Sequence, residues 1–146
     1  MMRGVAKILS DQASISALAA RVKRVAFLGI KPDSLASQPA HYVPARCREL
    51  GVEVVPVPTR YPEVSTVLGI PVERDLRRVG EVDLVCVFRR PDELEAHLPD
   101  LLALAPPAVW LQSGISHPGF EAALMEAGID VVVSRCLMVE RERGAR

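Results

Sequence analysis

Two adjacent arginines, Arg89 and Arg90, close the apolar run Leu84–Phe88 and lead at once into Pro91, Asp92 and Glu93. A guanidinium presents N–H donors in a planar fork that matches a phosphate or a carboxylate. At the mouth of a buried strand such a pair points to an anionic ligand; a solvated turn is the plainer alternative. Successive side chains leaving a strand point in different directions, so at most one arginine is expected in a crevice. The other would pair with Asp92 or Glu93. A second apolar run, Val25–Leu28, ends at Gly29 and opens the turn Gly29-Ile30-Lys31-Pro32-Asp33-Ser34. Glycine there lets backbone approach a ligand, and the N-terminus of the following helix favours an anion. Arg60, just past Val57 and Pro58, suits an additional phosphate. Gln112 directly follows the run Ala108–Leu111, where a polar residue at a buried strand's end is a contact candidate.

Catalytic chemistry is harder to find. His41, His97 and His117 are far apart in sequence. His117 precedes Pro118 at a helix start and reads as a cap or an exposed residue. His97 is expected to face solvent. His41 is placed to approach the Gly29 turn, as a phosphate contact or as a base. Cys47, Cys86 and Cys136 are an odd number without CxxC spacing, which argues against a disulfide framework or a zinc site. A nucleophilic thiol needs a neighbouring base or cation, and Cys136 has only Arg135 in sequence, with Glu140 following at helical spacing. Cys86 is expected to be buried and inert. Asp33, Glu63, Asp83 and Asp92 are scattered without metal-ligand spacing. No catalytic residue and no metal site are assigned.

The elements that must hold these residues follow from the hydrophobic pattern. The chain has 146 residues, 49% of them hydrophobic, enough for one domain with a real core. Eighteen basic and eighteen acidic residues cancel. That balance supplies no general field for nucleic acid or an anionic membrane, so an anion site must be local. No run approaches the roughly 20 apolar residues that span a bilayer, and the cytoplasm is the expected location. Strands are expected at 25–28, 52–55, 84–88, 108–111 and 131–133. They are continuous apolar runs, as in sheets covered on both faces. Helices are expected at 39–50, 92–104 and 117–127, with Gly51 and Gly128 as stops. The alternation predicts an α/β fold: a single Rossmann-like doubly wound parallel sheet of about five strands, with helices on both faces. Residues 1–22 are read as an N-terminal helix packed on a domain of residues 23–146. A strand order of 3-2-1-4-5 is expected, with the ligand crevice between the strand ending at Gly29 and the one ending at Phe88. Trp110, inside an apolar strand, is assigned to the core.

The first turn is not a dinucleotide fingerprint, since Gly29 lacks the second and third glycines of GxGxxG. No acid follows the second strand before Glu63, which lowers NAD more than NADP. The segments VAFLGIKP, VEVVPVPTRYPEVSTVLGIPV, VDLVCVFRRPDEL, AVWLQSGI and VVVSRCLMVE resemble, in order and spacing, the small CoA-binding proteins. Their fold is that of the N-terminal CoA-binding domain of the succinyl-CoA synthetase alpha subunit. The resemblance runs from about Lys23 to Glu140. It implies CoA or an acyl-CoA as ligand, with the diphosphate over Gly29, Lys31, Pro32 and Ser34. It puts the adenine near Val57 and Pro58, and makes Phe88, Arg89 and Pro91 the far wall. The pantetheine arm would run toward Gln112, Ser113 and Gly114. Arg60 or Arg90 would meet the 3′-phosphate. Relatives often carry a small residue and a serine where this chain has Ile30 and Lys31, so the loop's phosphate contacts differ here. The synthetase's phosphohistidine belongs to a second domain, so no ligase activity is expected of this chain alone. An NADP-dependent reductase and a regulatory module with a degenerate nucleotide pocket are the alternatives. Self-association and an unidentified protein partner stay open.

Overall fold

The computed structural model describes residues 6–144. The first five residues of the expected N-terminal segment and the last two of the chain lie outside it. In chain order the elements are β1 (Ile8–Leu9), α1 (Gln12–Arg21), β2 (Arg24–Leu28), α2 (Pro39–Glu49) and β3 (Glu53–Val57). A hairpin follows, β4 (Thr66–Val67) and β5 (Ile70–Pro71). Then come β6 (Leu84–Val87), α3 (Leu98–Leu104), β7 (Ala108–Leu111), α4 (Pro118–Glu126), β8 (Asp130–Val132) and α5 (Leu137–Gly144). Six strands form one parallel sheet in the order β3-β2-β6-β7-β8-β1.

Side chains alternate across this sheet and both sets are apolar, which is why the strands read as continuous runs. Val25, Phe27, Leu84, Cys86, Ala108 and Trp110 pack on one face against Ile15, Leu18, Val43, Cys47 and Leu137 of α1, α2 and α5. Ala26, Leu28, Val85, Val87, Val109 and Leu111 pack on the other against Leu101, Phe120 and Leu124 of α3 and α4. Trp110 is fully buried, and its Nε1 donates to the Arg135 carbonyl at 2.8 Å, satisfying its one polar atom. This is the expected Rossmann-like doubly wound α/β sheet with helices on both faces.

Three local expectations are corrected. The first 20 residues are not one helix: Ile8–Leu9 adds a sixth, parallel strand beside β8 before α1 begins. Asp11 stops any earlier start of α1, because its carboxylate caps the helix by accepting from the Ser14 N–H at 2.9 Å. The strand order is not 3-2-1-4-5. Counting from β2, the five expected strands run 2-1-3-4-5, with β2 between β3 and β6. Pro56 explains this, since a proline cannot donate to a second neighbour and confines β3 to the sheet's edge. The expected helix 92–104 is broken into 3₁₀ turns at Pro91–Glu93 and Glu95–His97 and the short α3. Pro99 has no N–H to give the Glu95 carbonyl, so a continuous α-helix through this stretch lacks that bond.

One side chain ties the ends of two helices together. Arg141 of α5 donates through Nη1 to the carbonyls of Ala19, at 2.8 Å, and Val22, at 2.7 Å, where α1 ends. Its Nη2 and Nε donate to the Leu50 carbonyl past α2, at 3.1 and 3.2 Å. These are among the carbonyls that a helix end leaves without intrahelical partners. Arg141→Ala is expected to cost about 2 kcal/mol of stability by loss of these charged hydrogen bonds. Urea unfolding followed by circular dichroism measures it, with Arg143→Ala as the control.

Candidate functional site

The direction in which strands are added to the sheet reverses at β2. The chain leaves β2 through α2 to β3 on one side, and β6 lies on its other side, so their carboxyl ends open a crevice at the switch point. The crevice is narrow at its base. Gly29 N–H donates to the Val57 carbonyl at 2.8 Å, and Phe88 N–H to the Leu28 carbonyl at 2.8 Å. Gly29 has φ of +89°, and a Cβ there would lie 2.2 Å from the Phe88 carbonyl oxygen. Both facts require glycine.

Above this base lie two adjoining hollows. The smaller, about 220 Å³, is lined by Gly29, Ile30, Lys31, Thr59, Arg60, Tyr61, Phe88, Arg89, Arg90 and Glu93. The larger, about 600 Å³, shares Lys31, Phe88, Arg89 and Arg90 and continues past Pro91, Tyr42 and Val43 to Gln112, Gly114, Cys136 and Met138. The first is rich in cations and the second is mainly apolar. A bigger hollow of about 740 Å³, by Gly80, Asp83 and Pro106, lies at the amino ends of β6 and β7, away from these residues. Volume alone does not select the site; convergence of polar groups at the switch point does.

Arg89 and Arg90 diverge as expected. The Arg89 side chain is only 15% exposed, whereas that of Arg90 is 73% exposed. Arg89 Nη2 lies 2.9 Å from Glu93 Oε2, and its Nε donates to His97 Nε2 at 3.0 Å. The solvent-facing position expected for His97 is therefore corrected. The 3₁₀ turn Glu95–His97 brings its ring back under Arg89, and it is half-buried. Desolvation first, and the Arg89 charge second, push His97 below its ordinary 6.5, so it accepts the arginine's hydrogen bond as a neutral ring.

The other sequence candidates take different places around the crevice. Lys31 Nζ donates to Gln38 Oε1 beside the crevice. Ile30 is 1% exposed, with its side chain in the core beneath the turn. Gln112, 4% exposed, accepts through Oε1 from the Leu137 N–H at 2.8 Å and from the Cys86 thiol at 3.6 Å. Its Oε1 is thereby fixed, which leaves the Nε2 donor to the apolar hollow. Pro32, Val57 and Pro58 are buried at the strand ends and line neither hollow, and Ser34 is exposed in the 3₁₀ turn Asp33–Leu35.

His41 does approach the first turn. Its Nε2 lies 2.7 Å from Asp33 Oδ1, which also accepts from the Leu68 N–H at 3.0 Å in the β4–β5 turn. Hydrogen bonds from His41 and then from Leu68 hold the Asp33 carboxyl below its usual range. His117 caps α4, its Nδ1 accepting from the Phe120 N–H at 3.1 Å. Burial raises the Cys47 thiol to about 12 and the Cys86 thiol well above its ordinary value, so both are inert. Among the described residues no three His, Cys, Asp or Glu side chains are grouped to hold a metal ion. None of their helices is long and apolar enough to cross a membrane.

Glu93, Thr59, Tyr61, Tyr42 and Cys136 join the crevice without having been assigned to it. Only Glu93 carried a local signal, its spacing of four residues from Arg89.

Comparison with known proteins adds to this geometry. Residues 23–142 match the model of a family described as a CoA binding domain. A curated relative, the uncharacterised protein YneT of Bacillus subtilis, is 29% identical over 132 residues, covering 88% of this chain and 93% of that one. The solved structure of Thermus thermophilus cell-free ID.343 is 46% identical with a TM-score of 0.82, over 92% of this chain and 99% of the other. A hypothetical protein of Pyrococcus horikoshii superposes with a TM-score of 0.82 at 24% identity, over 94% of both chains, which speaks for the fold alone.

Two outcomes follow. Gly29→Ala is expected to melt well below the parent, because its Cβ meets a backbone oxygen and the residue needs positive φ; differential scanning calorimetry measures the drop. His97 is depressed in the folded protein, so the unfolded chain takes up its proton first as pH falls through 6.5. Its contribution is full above that pH and is lost below it, down to the folded value. Between about pH 7.5 and 5.5 the melting temperature of His97→Gln should therefore fall less than that of the parent.

Proposed function

The chain belongs to the CoA binding domain family, and from that premise we propose that it holds CoA or an acyl-CoA in the switch-point crevice. One observation carries the reading. A small cationic hollow adjoins a larger apolar one through a shared wall of Lys31, Phe88, Arg89 and Arg90. CoA has the same division, a phosphate-bearing nucleotide joined to a long neutral arm. In this reading Arg89 and Lys31 meet the diphosphate, with the main chain at Gly29 and Ile30 close beneath it. Pro32 and Ser34 shape and flank the first turn. Val57 and Pro58 back the adenine side, and Arg60 or Arg90 meets the 3′-phosphate. Phe88 and Pro91 form the far wall, and the arm runs toward Gln112 and Gly114.

The protein acts here as a binder without a ligase reaction of its own. All three histidines are engaged through ring nitrogens by Asp33, Arg89 and the Phe120 N–H, which supports a structural role over phosphoryl acceptance. A reducing, cytoplasmic setting suits the free cysteines Cys47 and Cys86 in the core. A homo-oligomer or a protein partner is left to experiment.

Calorimetric titration with CoA, 3′-dephospho-CoA and NADPH tests the proposal. CoA should bind, and Arg89→Ala should weaken it about tenfold by loss of a charge-assisted phosphate contact. Heat with NADPH and none with CoA would instead support an NADP-dependent reductase. No heat with any of the three would leave a regulatory module with a degenerate pocket.

A further inference from the structure

One carboxylate stands among the arginines of the cationic hollow. Glu93 Oε2 lies 2.9 Å from Arg89 Nη2 and 3.3 Å from Arg60 Nη2, while Oε1 lies 3.2 Å from Arg90 Nε. The three guanidinium groups come from two segments, one after β3 and two after β6. They converge on a side chain that is only 18% exposed. Two acceptor oxygens shared among forked donors is the arrangement that arginines also make around a phosphate. Three cations against one anion leave positive charge over, and Lys31 lines the same hollow.

We infer that Glu93 is an internal occupant of this anion site, which a phosphate group of the ligand must displace or oppose. This rests on reading the hollow as the ligand's phosphate site. A phosphate monoester brings nearly twice the charge of a carboxylate and one more acceptor oxygen, so it can take over the N–H donors that Glu93 holds. A neutral ligand cannot. Glu93 thereby lowers the affinity for every anion while raising the charge a ligand needs to enter, which makes it a specificity-determining residue.

The carboxylate is also kept ionised. Desolvation raises its pKa, but Arg89, the backbone at Arg90, and the Arg60 and Arg90 side chains outweigh that and leave it lowered. It therefore stays an anion at neutral pH.

The test is Glu93→Gln in the full chain, which keeps the size and removes the charge. Binding of inorganic pyrophosphate, CoA and 3′-dephospho-CoA is measured by calorimetry at low and high salt. Circular dichroism checks the fold, and Glu93→Ala is read in the same way should the glutamine variant not fold. Pyrophosphate and CoA are expected to bind roughly three- to tenfold more tightly to the variant at low salt, with the gain shrinking as salt screens it. Asp92→Asn, which removes a carboxylate that is 73% exposed and 3.5 Å from Arg90, should change neither. A gain for CoA that disappears with 3′-dephospho-CoA assigns the displacement to the 3′-phosphate, and an equal gain assigns it to the diphosphate. Weaker or unchanged pyrophosphate binding in folded Glu93→Gln overturns the inference, since Glu93 would then orient the arginines or stand idle. Tighter pyrophosphate with no CoA binding to either protein would keep the internal occupant and sink the CoA reading.

Discussion

The distance at which the chain leaving β2 passes beneath the chain leaving β6 governs the rest of this structure. With a hydrogen in place of a side chain at residue 29, the Phe88 carbonyl can sit where any Cβ would collide. That contact lets Gly29 bond to Val57 while Phe88 bonds to Leu28, so three strand ends stay in register to their last residue. The first turn and the two arginines then emerge side by side. A larger residue would force β2 and β6 apart at the point where their separation sets the width of the crevice.

Around that base the electrostatics are local, as a chain of zero net charge requires. The arginines are managed from both sides. Glu93 takes their outward donors, and His97 takes one from beneath, held neutral by burial. The bond to His97 keeps the Arg89 guanidinium at low exposure from beneath, on the side an anion does not need. A donor held in this way loses less entropy when an anion displaces Glu93. Arg90, without a buried partner beneath it, stays in solvent. Adjacent positions with the same side chain thus differ because Arg89 is also held from beneath by His97, while Arg90 reaches Glu93 from the solvent side.

Buried polar groups show similar economy. Gln112 uses its oxygen to hold the start of α5 and a core thiol, so its amide nitrogen is directed by structure rather than by chance. Arg141, one turn further along α5, satisfies carbonyls where α1 and α2 end. α5 is therefore anchored at its start and midway along, and Cys136 just before it and Met138 on its first turn line the apolar hollow.

Much was legible in the order of residues. Continuous apolar runs separated by helix-length segments imply a parallel sheet covered on both faces, because only full burial tolerates apolar side chains on successive positions. Glycine after the first strand and arginines after the third marked the switch-point loops by type alone. The segments that resemble CoA-binding proteins identified the family from motif order. Other features depend on contacts between residues distant in the chain. Ile8–Leu9 is a strand only because β8 offers it an edge, and two residues carry too little periodicity to announce that. The 3₁₀ path through residues 91–97, which decides where His97 and Glu93 face, follows from prolines whose effect on direction emerges only in three dimensions. Arg60 meets Glu93 across 33 residues, a pairing that no spacing rule contains. The sequence by itself determined which residue types stand at the strand ends, because strand and turn preferences act on near neighbours. Which of them share one anion, and which are turned away, was decided by tertiary structure, because it depends on strand order and loop path.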